Sequence, residues 1–192
     1  MKLNYLRILA FVLLVALSVG FGFAFDAIAT AIDKHNYPIV DAYAAPIKEY
    51  AEEFAIPEAV LWAVVSVESD FISNAVSNDG AIGLMQLTPD EFRMICTDLL
   101  DSAEVDVGML YNPASNLRAG AAYLSELYRR YGVWETVFAA YHTSVEQVDA
   151  WLSDKALVSE QGRLQNLPDN NTTKYMKSTQ KALEHYQTLY FR

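Results

Sequence analysis

Glu68 closes an almost unbroken apolar run, "LWAVVSVES", from Leu61 to Ser69. On a helix it shares a stripe with Val64 and Leu61, one and two turns earlier. It also falls in the last turn of that helix, where the negative end of the dipole disfavours an anion. Partial burial and the dipole both favour the protonated carboxyl. A carboxylic acid kept neutral near pH 7 is what a general acid needs to protonate a leaving oxygen. The same pattern also fits a frayed, exposed helix end or a member of a structural ion pair. In the segment that follows, Gly80, Ala81 and Gly83 permit tight turns and close approach of an extended ligand. Ser77, Asn78 and Gln86 supply donors and acceptors, and Met85 an adaptable apolar surface. Sugars suit such a mixture; a polar loop returning to a core helix suits it too.

The elements around this stretch read as helices. "PIKEYAEEFAI" places Ile47, Tyr50, Ala51 and Phe54 on one stripe. Pro57 suits a first helical turn, and the next helix runs from there to about Ser69. "TPDE", Thr88 to Glu91, is a capping box with proline at the first helical position. Asn112-Pro113 opens a helix striped by Leu117, Ala121, Leu124 and Tyr128, and Gly132 stops it. "ETVFAAYH" and "VEQVDAWL" read as two short helices around a turn, and Thr172 as the cap of a last helix. "AVVSV" also fits a buried strand, but its length and proline start favour a helix. The fold class is therefore all-α, α+β at most marginally, with irregular connections near 70–88 and 99–112.

An apolar fraction of 53 % exceeds the roughly 45–50 % usual for soluble chains, and the excess lies at the start. "ILAFVLLVALSVGFGFAF", Ile8 to Phe25, carries no charge, with Lys2 and Arg7 before it and Asp26 after. That length is enough for a membrane-spanning helix and long for a signal-peptide core. Residues 1–25 are expected to be an N-terminal signal-anchor or transmembrane helix, 26–40 a juxtamembrane linker and 41–192 the working domain. The preceding basic residues put that domain outside a cell membrane crossed once. "AIA" at Ala27 to Ala29 keeps open a cleaved signal and a secreted product.

The net charge of −10 argues against nucleic acid as a partner. Cys96 is the one cysteine, set in an apolar helical pattern, so it reads as a buried hydrophobe. His35, His142 and His185 offer no metal-ligand spacing, and Asp98, Asp101, Glu104 and Asp106 read as a solvated loop. No metal and no cofactor are expected, and a monomer is.

"VESDFISNAVSNDGAIGLMQLTP" closely resembles the signature of the soluble lytic transglycosylase (SLT) family, with its Glu-Ser, Ser-x-x-Gly-Ala-x-Gly-Leu-Met-Gln and Pro elements. The resemblance continues through "YNPASNLRAGAAYLSELYRRYG", "VFAAYHTSVEQVDAWL" and "TTKYMKST" in the family's order, covering about residues 45 to 188. It implies a lysozyme-like helical fold. It implies cleavage of the β-1,4 bond between N-acetylmuramic acid and N-acetylglucosamine in peptidoglycan, without water and with closure of a 1,6-anhydro ring. Carried over by position, Glu68 matches the single catalytic glutamate, acid first and base second. Ser77, Met85 and Gln86 match positions lining the glycan cleft, Tyr141 a tyrosine near the acid, and Tyr175 a late tyrosine facing the same site.

One segment departs from the family. Where the family commonly reads Ala-Tyr-Asn-Ala-Gly-Pro-Gly-x-Val, this chain has Ala140-Tyr141-His142-Thr143-Ser144-Val145-Glu146-Gln147-Val148. A turn needing positive φ would be strained at Ser144 or Glu146. His142 is a candidate to keep a hydrogen-bonding role toward substrate. Two other functions share the residues: a hydrolytic muramidase of the same fold, and a glycan-binding or scaffold module without turnover.

Overall fold

The protein is described here by a computed structural model that covers residues 2–191. It divides into two units at Pro38–Ile39. The first is one helix, α1 (Lys2–Asn36). Leu13–Asn36 is long and apolar enough to cross a membrane, and Leu14, Leu17, Phe21, Phe23 and Phe25 all face outward. The helix continues to Asn36 through the segment read as a linker. "DAIATAIDKHN" contains neither glycine nor proline to stop it and is rich in alanine.

The second unit holds α2 (Asp41–Glu53), α3 (Glu58–Ser69), α4 (Pro89–Met94), α5 (Pro113–Tyr131), α6 (Trp134–His142), α7 (Val145–Ser153) and α8 (Asn170–Tyr190). A π-helical turn, Ile95–Leu99, extends α4, and buried Cys96 lies in it. A 3₁₀ turn, Val107–Tyr111, precedes α5. Among the described residues there is no strand, only isolated bridges such as Val76 to Ile82 and Ile82 to Leu87. The all-α reading is the observed class.

α3 is apolar all round and lies at the centre, with every residue from Ala59 to Val65 buried. α2 packs on one side of it and α8 on another; α6 packs on α8, and α5 on α2 and α6. Trp62, with no accessible surface, stacks on Tyr186 of α8 at 6.0 Å between ring centres. Tyr175, Thr179, Ala182, Leu183 and Tyr186 form the buried stripe of α8.

Two helix starts differ from expectation. Pro57 is the N-cap of α3 in extended conformation, one residue outside the helix. The last helix is capped by Asp169, whose carboxylate accepts the Asn171 N–H at 2.9 Å; Thr172 sits inside the first turn and donates its hydroxyl to Asp169 at 2.6 Å. An aspartate satisfies the free N–H groups as well as a threonine and also opposes the dipole. The capping box at Thr88 and Glu91 and the left-handed stop at Gly132 stand where the sequence places them.

Candidate active site

Packing of α3 against α8 brings two residues 107 positions apart into contact: the Tyr175 hydroxyl donates to Glu68 Oε1 at 2.5 Å. Glu68 is half-buried in the last turn of α3. Burial pushes its carboxyl up to about 7 from an ordinary 4.5; the Tyr175 hydrogen bond opposes the rise and the charge of Glu91 adds to it. Oε2 makes no hydrogen bond to protein, and among the described residues no fully buried side-chain oxygen lacks a partner, so this second oxygen keeps some accessible surface. One carboxyl oxygen is thus held and the other is free to carry and deliver a proton.

α3 ends abruptly. Asp70 and Phe71 both adopt left-handed backbone, at φ 48° and 63°. Such conformations cost of order 1 kcal/mol and persist where the surroundings enforce them. Here Phe71 packs on Trp62 at 5.7 Å, and the Ser69 hydroxyl donates to Leu84 O at 2.9 Å, tying the following loop to the helix end.

That loop is organised by its own polar groups. Ser77 Oγ accepts the Ala81 N–H at 3.0 Å, and the Gln86 amide donates to Gly83 O at 2.9 Å and Ala75 O at 3.2 Å. Asn116, fully buried on α5, donates to Ile82 O at 2.9 Å and Leu110 O at 3.1 Å and accepts the Met85 N–H at 2.8 Å. Gly83, at φ 85°, touches the Asn116 side chain so closely that a Cβ there would lie 2.4 Å from it. Met85 has no accessible surface; its side chain lies against Gly120 and its carbonyl accepts the Tyr141 hydroxyl at 2.8 Å.

The candidates therefore fall into two groups. Glu68, Tyr175 and His142 come together: the His142 and Tyr175 rings lie 4.6 Å apart, and His142 Nδ1 is 3.2 Å from Thr172 Oγ1. Ser77, Met85, Gln86 and Tyr141 are joined to one another through the loop, and Tyr141 also lies close enough to Glu68 and Tyr175 for their charges to interact. The Met85 side chain, with no accessible surface, is packing within this frame and not the exposed apolar surface expected of it. Sequence reasoning assigned no role to Asn116; its available signal was an amide on the buried stripe of α5, one turn before Gly120.

The altered 140–148 segment needs no positive φ. Thr143 lies at φ −113°, and Ser144 is extended and caps α7 by accepting the Gln147 N–H at 3.2 Å. The glycine-free sequence thus makes the turn without a left-handed residue. Among the described residues no three His, Cys, Asp or Glu side chains are grouped to hold a metal ion.

Residues 45–161 match the family model described as "Transglycosylase SLT domain". The chain is 27 % identical over 148 residues to the soluble lytic murein transglycosylase of Escherichia coli K12, covering 76 % of this chain and 22 % of that protein. It is 34 % identical over 94 residues to the membrane-bound lytic murein transglycosylase C of Yersinia enterocolitica, 46 % of this chain and 25 % of the relative. This chain thus spans about a quarter of the length of these relatives. Its fold is similar to lytic transglycosylase Slt of Pseudomonas aeruginosa, solved as an inactive glutamate-to-glutamine mutant, with a TM-score of 0.71 and 25 % identity over 81 % of this chain and 25 % of that one. A 70-kDa soluble lytic transglycosylase in complex with bulgecin A gives 0.74 and 25 %, with the same coverage. By sequence and by fold, this chain belongs to the transglycosylase SLT domain family.

Proposed function

We propose that the protein is a peptidoglycan lytic transglycosylase. It would cleave the β-1,4 bond between N-acetylmuramic acid and N-acetylglucosamine and leave 1,6-anhydromuramic acid ends. The observation that carries this reading is the state of Glu68: a carboxyl raised to about 7, fixed by Tyr175 through one oxygen, with the other partly accessible. In that state it protonates the glycosidic oxygen as the bond breaks. The resulting carboxylate then takes the proton of the sugar's own 6-hydroxyl as that oxygen closes on C1.

No second carboxylate is required by this sequence of steps, and the nearby acids fit that economy. The Glu91 carboxylate is occupied by the Thr88 N–H and hydroxyl at 2.8 and 2.7 Å, and Asp70 is exposed at the helix end. The relative solved as an inactive glutamate-to-glutamine mutant supports a one-glutamate site. Ser77, Gln86 and Tyr141 are proposed to shape the glycan-binding loop, Ser77 and Gln86 from the half-exposed side. Action as a monomer is part of this proposal. The outward apolar faces of α1, with Lys2 and Arg7 ahead of them, support a membrane anchor with the catalytic unit on the wall side.

The test is digestion of purified sacculi by the wild type and by Glu68→Gln, with the products weighed. Anhydro ends from the wild type and their loss in the folded variant are expected. Reducing ends, one water heavier, would mean a hydrolase; binding without cleavage would mean a glycan-binding module.

A further inference from the structure

Resting on the reading of Glu68 as the acid, we propose that His142 is a positioning residue whose imidazole clamps the Tyr175 ring and so keeps the phenol hydroxyl on Glu68. The ring of His142 lies over that of Tyr175 at 4.6 Å between centres and 33° between planes. Its orientation is set from the first turn of α8. Thr172 Oγ1 spends its one proton on Asp169 Oδ2 at 2.6 Å, so its contact with His142 Nδ1 at 3.2 Å uses a lone pair, and Nδ1 carries the hydrogen. Asp169 is itself fixed by the Asn171 N–H. Thr172 and Tyr175 are three residues apart and share a helix face, so one imidazole at the end of α6 engages both. The asparagine common at this position in the family has no ring to lay on Tyr175.

The clamp acts on proton chemistry through Tyr175. The phenol hydrogen bond stabilises the Glu68 carboxylate and opposes the upward push of burial. Loosening it lets Glu68 hold its proton to higher pH. The groups that face His142 are Asp169 at the cap of α8 and Thr172 and Tyr175 within it; those that act on Glu68 are Tyr175 and Glu91 of α4, and the Glu68 charge in turn reaches Tyr141 of α6. Burial lowers the His142 pKa from its ordinary 6.5, and the charge of Asp169 opposes that fall. His142→Phe, a ring that carries no charge at any pH, separates ring position from charge.

The experiment is a ¹³C NMR titration of the Glu68 carboxyl in the full chain, for wild type, His142→Asn, His142→Phe, Tyr175→Phe and the His142→Asn/Tyr175→Phe double variant. His142 ends α6 with part of its side chain open to solvent and its ring partly covered by α8, so its variants are expected to fold. His142→Asn is expected to move the midpoint upward, in the direction of Tyr175→Phe; the double variant moves it no further than Tyr175→Phe alone. His142→Phe keeps a ring and stays near wild type. On sacculi, the alkaline limb of kcat/KM follows the same order. An unchanged midpoint in His142→Asn, an additive shift in the double variant, or an equal shift in His142→Phe overturns the proposal. Because the titration needs no turnover, an inactive wild type would sink the enzymatic reading and still leave the clamp decided.

Discussion

The loop from Ala75 to Leu87 and the corner formed by Glu68, Tyr175 and His142 lie in the second unit and use polar groups in opposite ways. In the loop, Ser77, Gln86 and the incoming Asn116 turn their hydrogen bonds inward, onto backbone atoms of the loop itself. At the corner, Glu68 has one satisfied oxygen and an ionisation that burial resists. A carboxyl could not be held there without a rigid frame, and a rigid frame needs its amides and carbonyls satisfied. The loop supplies fixed geometry and the corner supplies reactivity, so changes in the two regions should separate stability from activity.

Gly83→Ala is the sharpest way to break the frame. The new Cβ would meet the Asn116 amide at 2.4 Å and Leu110 O at 2.8 Å, at a residue with φ 85°. A loss of roughly 4 kcal/mol is expected from urea denaturation. Asn116→Ala leaves the Met85 N–H and the Leu110 carbonyl unpaired in the core, while Ile82 O keeps the Leu87 N–H at 3.2 Å, for a loss of about 3 kcal/mol.

Glu68→Gln should do the reverse at high pH. The folded pKa is raised, so the stability that protonated Glu68 permits is full below about 4.5 and is lost as pH rises through about 7. Glutamine carries no such loss. The variant is expected to be more stable than wild type by about 1–3 kcal/mol above pH 7, with the difference vanishing in acid. A variant less stable than wild type at pH 8 would contradict the burial argument. Ser77→Ala is the smallest effect: a loss of about 1 kcal/mol with the one hydrogen bond to Ala81, and turnover of sacculi reduced no more than stability accounts for. A larger fall in turnover would place Ser77 against the glycan as well as in the frame.

Much of this was legible in the chain. The apolar run before Glu68, the capping box at Thr88 and the Asn-Pro start of α5 are local signals, and each produced its helix. The end of α3 and the partnership of Glu68 with Tyr175 depend on how α8 lies against α3, which no local pattern encodes; only the family resemblance pointed to Tyr175. Met85 was misjudged for a related reason. An adaptable apolar side chain beside a polar loop reads equally as a wall or as packing, and the choice was made by Gly120, whose missing side chain opens the space that Met85 fills. The 140–148 turn shows a third limit: the family's glycines suggested a positive φ that Ser144, as an extended helix cap, makes unnecessary.

The central claim is that burial keeps the Glu68 proton in place near neutral pH, and a ¹³C titration of that one carboxyl in the wild-type protein tests it most directly. A midpoint near 7, matched by a fall in sacculus cleavage as pH rises past it, is the predicted result. A midpoint near the ordinary 4.5, with cleavage indifferent to pH between 6 and 8, would contradict it.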